Sequence, residues 1–195
     1  MGKFILGVLI GFVIVVCAGF GYFYLGYAPA ATAAPPMPFE KRAAKWALSA
    51  RIKKEMPNGT SMPASEANLL AGAEMYKRDC AVCHGLPGDT KPTNIAAGEY
   101  PKPPQLWKHG VTDDPVGETY WKVANGIRMT GMPAFKASTS DEAVWQVSLL
   151  LANADKLPPS VTAALAQPLA NAPASTIPSG AVSTPHDATK MPGTK

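Results

Sequence analysis

Metal-binding and nucleophilic side chains are scarce in this chain. Its 195 residues hold three cysteines and three histidines. A structural zinc site needs four ligands. Beyond Cys80, Cys83 and His84 the chain offers only Cys17, His109 and His186, none of which brings a second ligand pair. There is no flavin fingerprint and no candidate pair of acid and nucleophile, so no catalytic residue is assigned and no small-molecule substrate is expected. Charge is thin, at 16%. Residues 61–157 carry nine Lys and Arg against eleven Asp and Glu, so the overall balance of +4 misdescribes that stretch. No basic face with interleaved aromatics falls on it, which argues against nucleic acid. Large apolar residues become rare after Lys156. Residues 158–195 are dominated by Pro, Ala, Ser and Thr, and a segment that buries so little is predicted to be a disordered tail.

What is present is concentrated. The string Cys80-Ala81-Val82-Cys83-His84 places two thiols three positions apart with an imidazole directly after the second. That is the requirement for covalent c-type haem attachment. On a helix, positions i and i+3 share a face, so both sulfurs reach one edge of a porphyrin while His84 turns a ring nitrogen to the iron. A thioredoxin-like C-x-x-C would need alternating strands and helices around it, whereas these flanks read as helical and proline-rich. Cys17 lies inside an apolar run and reads as a small buried hydrophobe. No second C-x-x-C-H exists, so one haem is expected.

Patterning divides the remainder. Phe4 to Tyr27 is an uncharged, mostly apolar run longer than the roughly 20 residues a spanning helix needs, so residues 1–27 read as a transmembrane anchor. Ala28-Pro29-Ala30 leaves a cleaved signal as the alternative. Residues 28–60 divide into a Pro/Ala spacer and a basic helix from Phe39 to Met56. In that helix Leu48, Ile52 and Met56 recur every four residues with Trp46 close to their face. It either rests on anionic lipid or a partner, or packs on the following domain. In residues 61–157, a helix over Glu66–Cys83 with Ser65 as N-cap puts Leu69, Gly72, Ala73 and Tyr76 on the face of the two thiols. A helix over Glu118–Ala124 stops at Gly126. The last, over Asp141–Asn153, is capped by Ser140 and carries Val144, Trp145, Ser148, Leu149 and Ala152 inward.

With CAVCHG and the later Asn125–Phe135 stretch NGIRMTGMPAF in hand, residues from about Ser65 to Lys156 resemble a monohaem class I cytochrome c. The resemblance implies an all-α fold: a small haem domain of three to five helices, here with a transmembrane helix before it and the tail behind. It implies one covalent haem c on Cys80 and Cys83, with His84 on the iron and Met132 of Gly131-Met132-Pro133 as the opposite ligand. Met129 is the internal rival, and His109 would give bis-histidine iron. Met56, Met62 and Met75 read as packing. A thioether ligand favours reduced iron and leaves no site for oxygen, which suits electron transfer. The resemblance further implies a backbone carbonyl from Pro101–Leu106 on the His84 imidazole. It also implies a helix crossing in which Gly72 and Tyr76 meet Trp145 and Leu149. Tyr100, Trp107 and Tyr120 are candidates for propionate hydrogen bonds or for shielding the haem.

Six Lys and Arg between Lys41 and Lys54 would by charge alone draw the body to the cytoplasmic side. Haem attachment outside the cytoplasmic membrane, which the resemblance implies, places it in the periplasm. The resulting expectation is a membrane-tethered carrier of single electrons between protein redox partners, such as a quinol-oxidising complex and a terminal oxidase or reaction centre. The alternative is a haem-bearing subunit of a membrane dehydrogenase or oxidase. A third class, a haem enzyme or gas sensor, would need an open iron position.

Overall fold

The computed structural model describes residues 1–109 and 112–167, and every regular element among them is helical. The sequence-based expectation for 168–195 lies outside the described residues, as do His186 and the His109 side chain. Helix α1 (Gly2–Tyr24) is apolar along its length and buries nothing. At 1.5 Å per residue it extends about 35 Å, enough for a hydrocarbon core of about 30 Å.

Helix α2 (Glu40–Glu55) follows the proline-containing spacer and packs against α7 (Val116–Asn125). Ile52 is 3% exposed, and Trp121 Nε1 donates to Glu55 Oε2 at 3.2 Å across the contact. The boundary expected at residue 60 therefore does not isolate this helix from the domain. Trp46, expected near the packed stripe, is 68% exposed. Its position is about 120° around the helix from Ile52, too far to share one contact.

The core of the domain is the crossing of α3 (Glu66–Met75) with α8 (Asp141–Ala152). Ser65 and Ser140 cap them, accepting from Asn68 N and Ala143 N. The crossing differs from the one implied by resemblance. A Cβ on Gly72 would stand 2.4 Å from the Gln146 carbonyl oxygen and 3.1 Å from Val147 N, so the glycine admits the backbone of α8 rather than an aromatic ring. Trp145 instead stacks on Tyr120, with ring centroids 4.0 Å apart. Tyr76 meets Trp107 edge-on at 5.5 Å.

A second correction concerns the C-terminal boundary. Helix α9 (Pro159–Ala166) begins with proline at its first position and lies on α3, with Val161 and Leu165 fully buried. Lys77 Nζ donates to the Ala164 carbonyl at 2.8 Å. Composition alone suggested disorder from 158 because it averaged over these two large apolar residues, whose spacing of four makes one helical stripe. The ordered domain thus extends past 157.

Candidate functional site

The run that begins with α3 does not end at Met75. It continues through one π-helical turn (Tyr76–Cys80) into α4 (Ala81–His84), so the helix expected to Cys83 is present but not uniform. Ala81 N donates to Tyr76 O, five residues back, and this wider turn advances Cys80 and the residues after it relative to the α register. Gly85 then reverses the chain at φ 76°. Its buried carbonyl accepts the Tyr76 hydroxyl at 2.7 Å. Burial drives the Tyr76 phenol well above its usual pKa, so it remains a donor.

His84 is oriented by a loop 20 residues further on. Its Nδ1 lies 2.8 Å from the Pro104 carbonyl oxygen. A carbonyl only accepts, so Nδ1 carries the proton and Nε2 keeps its free lone pair. Gln105 Nε2 holds the same loop to the helix by donating to the Cys83 carbonyl at 2.9 Å. The resemblance narrowed this carbonyl to Pro101–Leu106, and the fold selects Pro104.

The opposite wall follows α7. That helix ends at Gly126 with φ 65°, where a Cβ would lie 2.7 Å from Ala134 N and Pro133 C. The Met132 loop folds back onto this point. Ile127 N donates to Met132 O at 3.2 Å, Met132 N donates to Thr130 Oγ1 at 3.1 Å, and Thr130 Oγ1 donates to Ile127 O at 2.7 Å. Met132 faces a cavity of about 530 Å³ that Cys80, Cys83, His84, Tyr76 and Leu48 also line. Met129 is 90% exposed with φ 60° and lines no part of it. The expected site residues are thus brought to one cavity, and the rival methionine is turned away from it.

Residues 67–149 match the family model described as cytochrome c oxidase, cbb3-type, subunit III. This stretch is a monohaem c-type cytochrome domain. No curated protein matches the chain. Among solved structures, a chain of the reducing HAO-like protein complex of Kuenenia stuttgartiensis aligns with a TM-score of 0.41 and 22% identity, over 50% of this chain and 48% of that one. The present chain therefore spans about half the length of the structure it matches.

A c-type cytochrome domain carries covalently bound haem c, and the chemistry of this cavity fits that group. Both thiols lie at its wall. Burial pushes the Cys80 thiol up to about 12, and burial followed by the Glu99 carboxylate raises Cys83. Cys83 Sγ donates to Glu99 Oε1 at 3.3 Å. Tyr100 Oη and Trp107 Nε1 make no hydrogen bond of ordinary geometry among the described residues, although desolvation and then the nearby Glu40 carboxylate raise the Tyr100 phenol and Trp107 bears on the Tyr76 hydroxyl. Tyr100 and Trp107 flank the Pro101–Leu106 segment, whose Pro101, Pro104 and Leu106 line the cavity. Neither residue lines the cavity itself, so the fit to haem rests on the two thiols, the imidazole and the thioether that do. Tyr120, the third expected candidate, is instead taken up by Asp141.

Sequence reasoning missed Glu99 beside Cys83 and the ion-paired Lys122 at the cavity wall. Lys122 Nζ lies 2.8 Å from both Asp114 Oδ2 and Glu118 Oε1. The Glu118 contact has i,i+4 spacing and was detectable. Glu99 lies 16 residues from its partner in an irregular segment and has no sequence signal.

Proposed function

We propose that this chain is a membrane-tethered monohaem cytochrome that passes single electrons between protein redox partners, with its haem domain on the periplasmic side. The observation that carries the reading is the pairing of His84, with Nε2 left free by the Pro104 carbonyl, and Met132 on one cavity. Haem c, when bound, would supply a one-electron ferric/ferrous couple. Cys80 and Cys83 would hold it covalently, and His84 and Met132 would supply the imidazole and the thioether that ligate its iron, which disfavours oxygen binding and substrate chemistry. The Pro104 hydrogen bond orients the imidazole. Helix α1 would hold the domain at the membrane, within reach of integral complexes.

One experiment tests His84 and Met132 as the pair of iron ligands. The haem-loaded chain is expected to show the weak long-wavelength charge-transfer band of thioether-ligated ferric haem, and its ferrous form to bind carbon monoxide slowly or not at all. Met132→Ala should remove the band, lower the potential and admit carbon monoxide, while Met129→Ala should leave all three unchanged. Immediate carbon monoxide uptake by the unaltered protein would refute the reading and favour a haem enzyme or sensor. A second reading, a haem subunit of a membrane oxidase, is favoured by the description of the matching family model. Stoichiometric co-purification with integral subunits from solubilised membranes would select it over a free carrier.

A further inference from the structure

Helix α2 presents two faces. One is docked: Leu48 and Ile52 turn to the domain, Glu55 accepts from Trp121, and Lys41 Nζ stands 5.8 Å over the Tyr100 ring. The other begins at Phe39, the residue before the helix, and runs through Arg42, Trp46, Ser49 and Lys53 at steps of 3, 4, 3 and 4, with Lys45 at its edge. This spacing is one stripe of an α-helix. Phe39 is 76% exposed and Trp46 68% exposed. Arg42, Lys45 and Lys53 are exposed and make no ion pair among the described residues. The two acidic residues of the helix lie away from the stripe. Glu40 accepts from Met37 N at 2.9 Å, and Glu55 is paired with Arg51 at 2.6 Å.

We propose that this stripe seats on the surface of an anionic phospholipid bilayer, so that α2 fixes the orientation of the cytochrome domain above the membrane. The proposal rests on the reading of α1 as a membrane anchor. Two observations select lipid as the occupant. Exposed aromatics among unpaired cations match the interfacial level of a bilayer, where rings sit at the headgroups and cations meet their phosphates. The tether then enforces proximity. Only residues 25–39 separate α1 from α2, a span of at most about 50 Å when fully extended, and the Pro35-Pro36 and Pro38 content stiffens it. Because another face of α2, about 120° around the helix, is packed on α7, seating the stripe would present one fixed side of the domain to the lipid.

The test uses the full haem-loaded chain with a protease site inserted within residues 28–38, reconstituted into vesicles with and without phosphatidylglycerol. Before cleavage, resistance to carbonate extraction reports on the anchor. Release by carbonate would refute the anchor and this proposal with it. After cleavage, the domain is expected to stay on phosphatidylglycerol vesicles at low salt, and to leave them at high salt or when the vesicles are purely zwitterionic. Each cation removed should weaken retention about fivefold, so Arg42, Lys45 and Lys53 all changed to Gln should weaken it roughly a hundredfold. Trp46→Ala should also weaken it, with the haem spectrum unchanged in every variant. If the anchor resists carbonate yet the cleaved domain leaves phosphatidylglycerol vesicles at low salt, the stripe does not bind lipid. Retention unaffected by the triple substitution would overturn the proposal equally. Retention only when an acidic protein is added would move the stripe to a protein partner.

Discussion

Gly72→Ala tests the packing that holds the haem-binding segment in place. In an isolated helix this substitution would stabilise by about 1 kcal/mol. Here the new methyl would lie 2.4 Å from Gln146 O, 2.7 Å from Gln146 C and 3.1 Å from Val147 N. All three are backbone atoms of α8, so no side chain can rotate away. Carbon contacts settle near 3.5–4.0 Å, so α3 and α8 must part by about 1 Å. Overpacking of a well-filled core costs typically about 1–3 kcal/mol, and separating two helices along their main crossing belongs at the upper end. The net expectation is a loss of about 1–2 kcal/mol. In a domain this size that corresponds to a fall in Tm of roughly 5–15 °C. Thermal unfolding of the haem-loaded chain followed by Soret circular dichroism measures it, since α1 contributes nothing there. Haem held by two thioethers stays attached on unfolding, so no ligand-dissociation contribution enters. Gly98→Ala is the control: no atom lies within 4 Å of its Cβ position, and its Tm should hold or rise slightly. A Tm for Gly72→Ala equal to or above that of the parent would refute the crossing.

Cys80→Ala or Cys83→Ala should leave haem extractable by acidified acetone or largely abolish maturation, and a double variant that still held covalent porphyrin would overturn the attachment site. Tyr76→Phe should cost about 1–3 kcal/mol in chemical denaturation, because it leaves the buried Gly85 carbonyl without its donor. A change below about 0.5 kcal/mol would contradict that role. The hydrogen bond to Asp141, aided by burial, raises the Tyr120 phenol to about 12. A pKa raised on folding means the folded state holds the proton longer. Its contribution to stability should therefore be complete below about pH 10 and disappear as pH rises towards 12. Ultraviolet titration of the parent minus Tyr120→Phe should isolate this phenol, and a midpoint near 10 would disprove the shift.

The spacing of Cys80, Cys83 and His84 was legible by itself, because covalent porphyrin attachment would need those residue types at those intervals. Ser65 and Ser140 were readable as caps for a similarly local reason: an N-cap bonds a backbone amide three residues on. The apolar run of α1 and the glycine stop at Gly126 were also legible, since chain length and φ preference are properties of short segments. Nothing local identified the π turn at Tyr76–Cys80, where Tyr76 meets Trp107 from a distant segment. The choice of Pro104 among the three prolines of the Pro101–Leu106 segment, the approach of Glu99 to Cys83 and the exclusion of Met129 from the cavity are likewise contacts between distant segments. The same holds for α9, whose Val161 and Leu165 become a buried stripe only when α3 covers them. Sequence therefore determined the candidate chemistry of the chain and the local signals, such as the serine caps and the glycine stop, that bound some of its helices. Tertiary structure decided which carbonyl, carboxylate and thioether face the cavity, because those positions follow from packing between elements far apart in the chain.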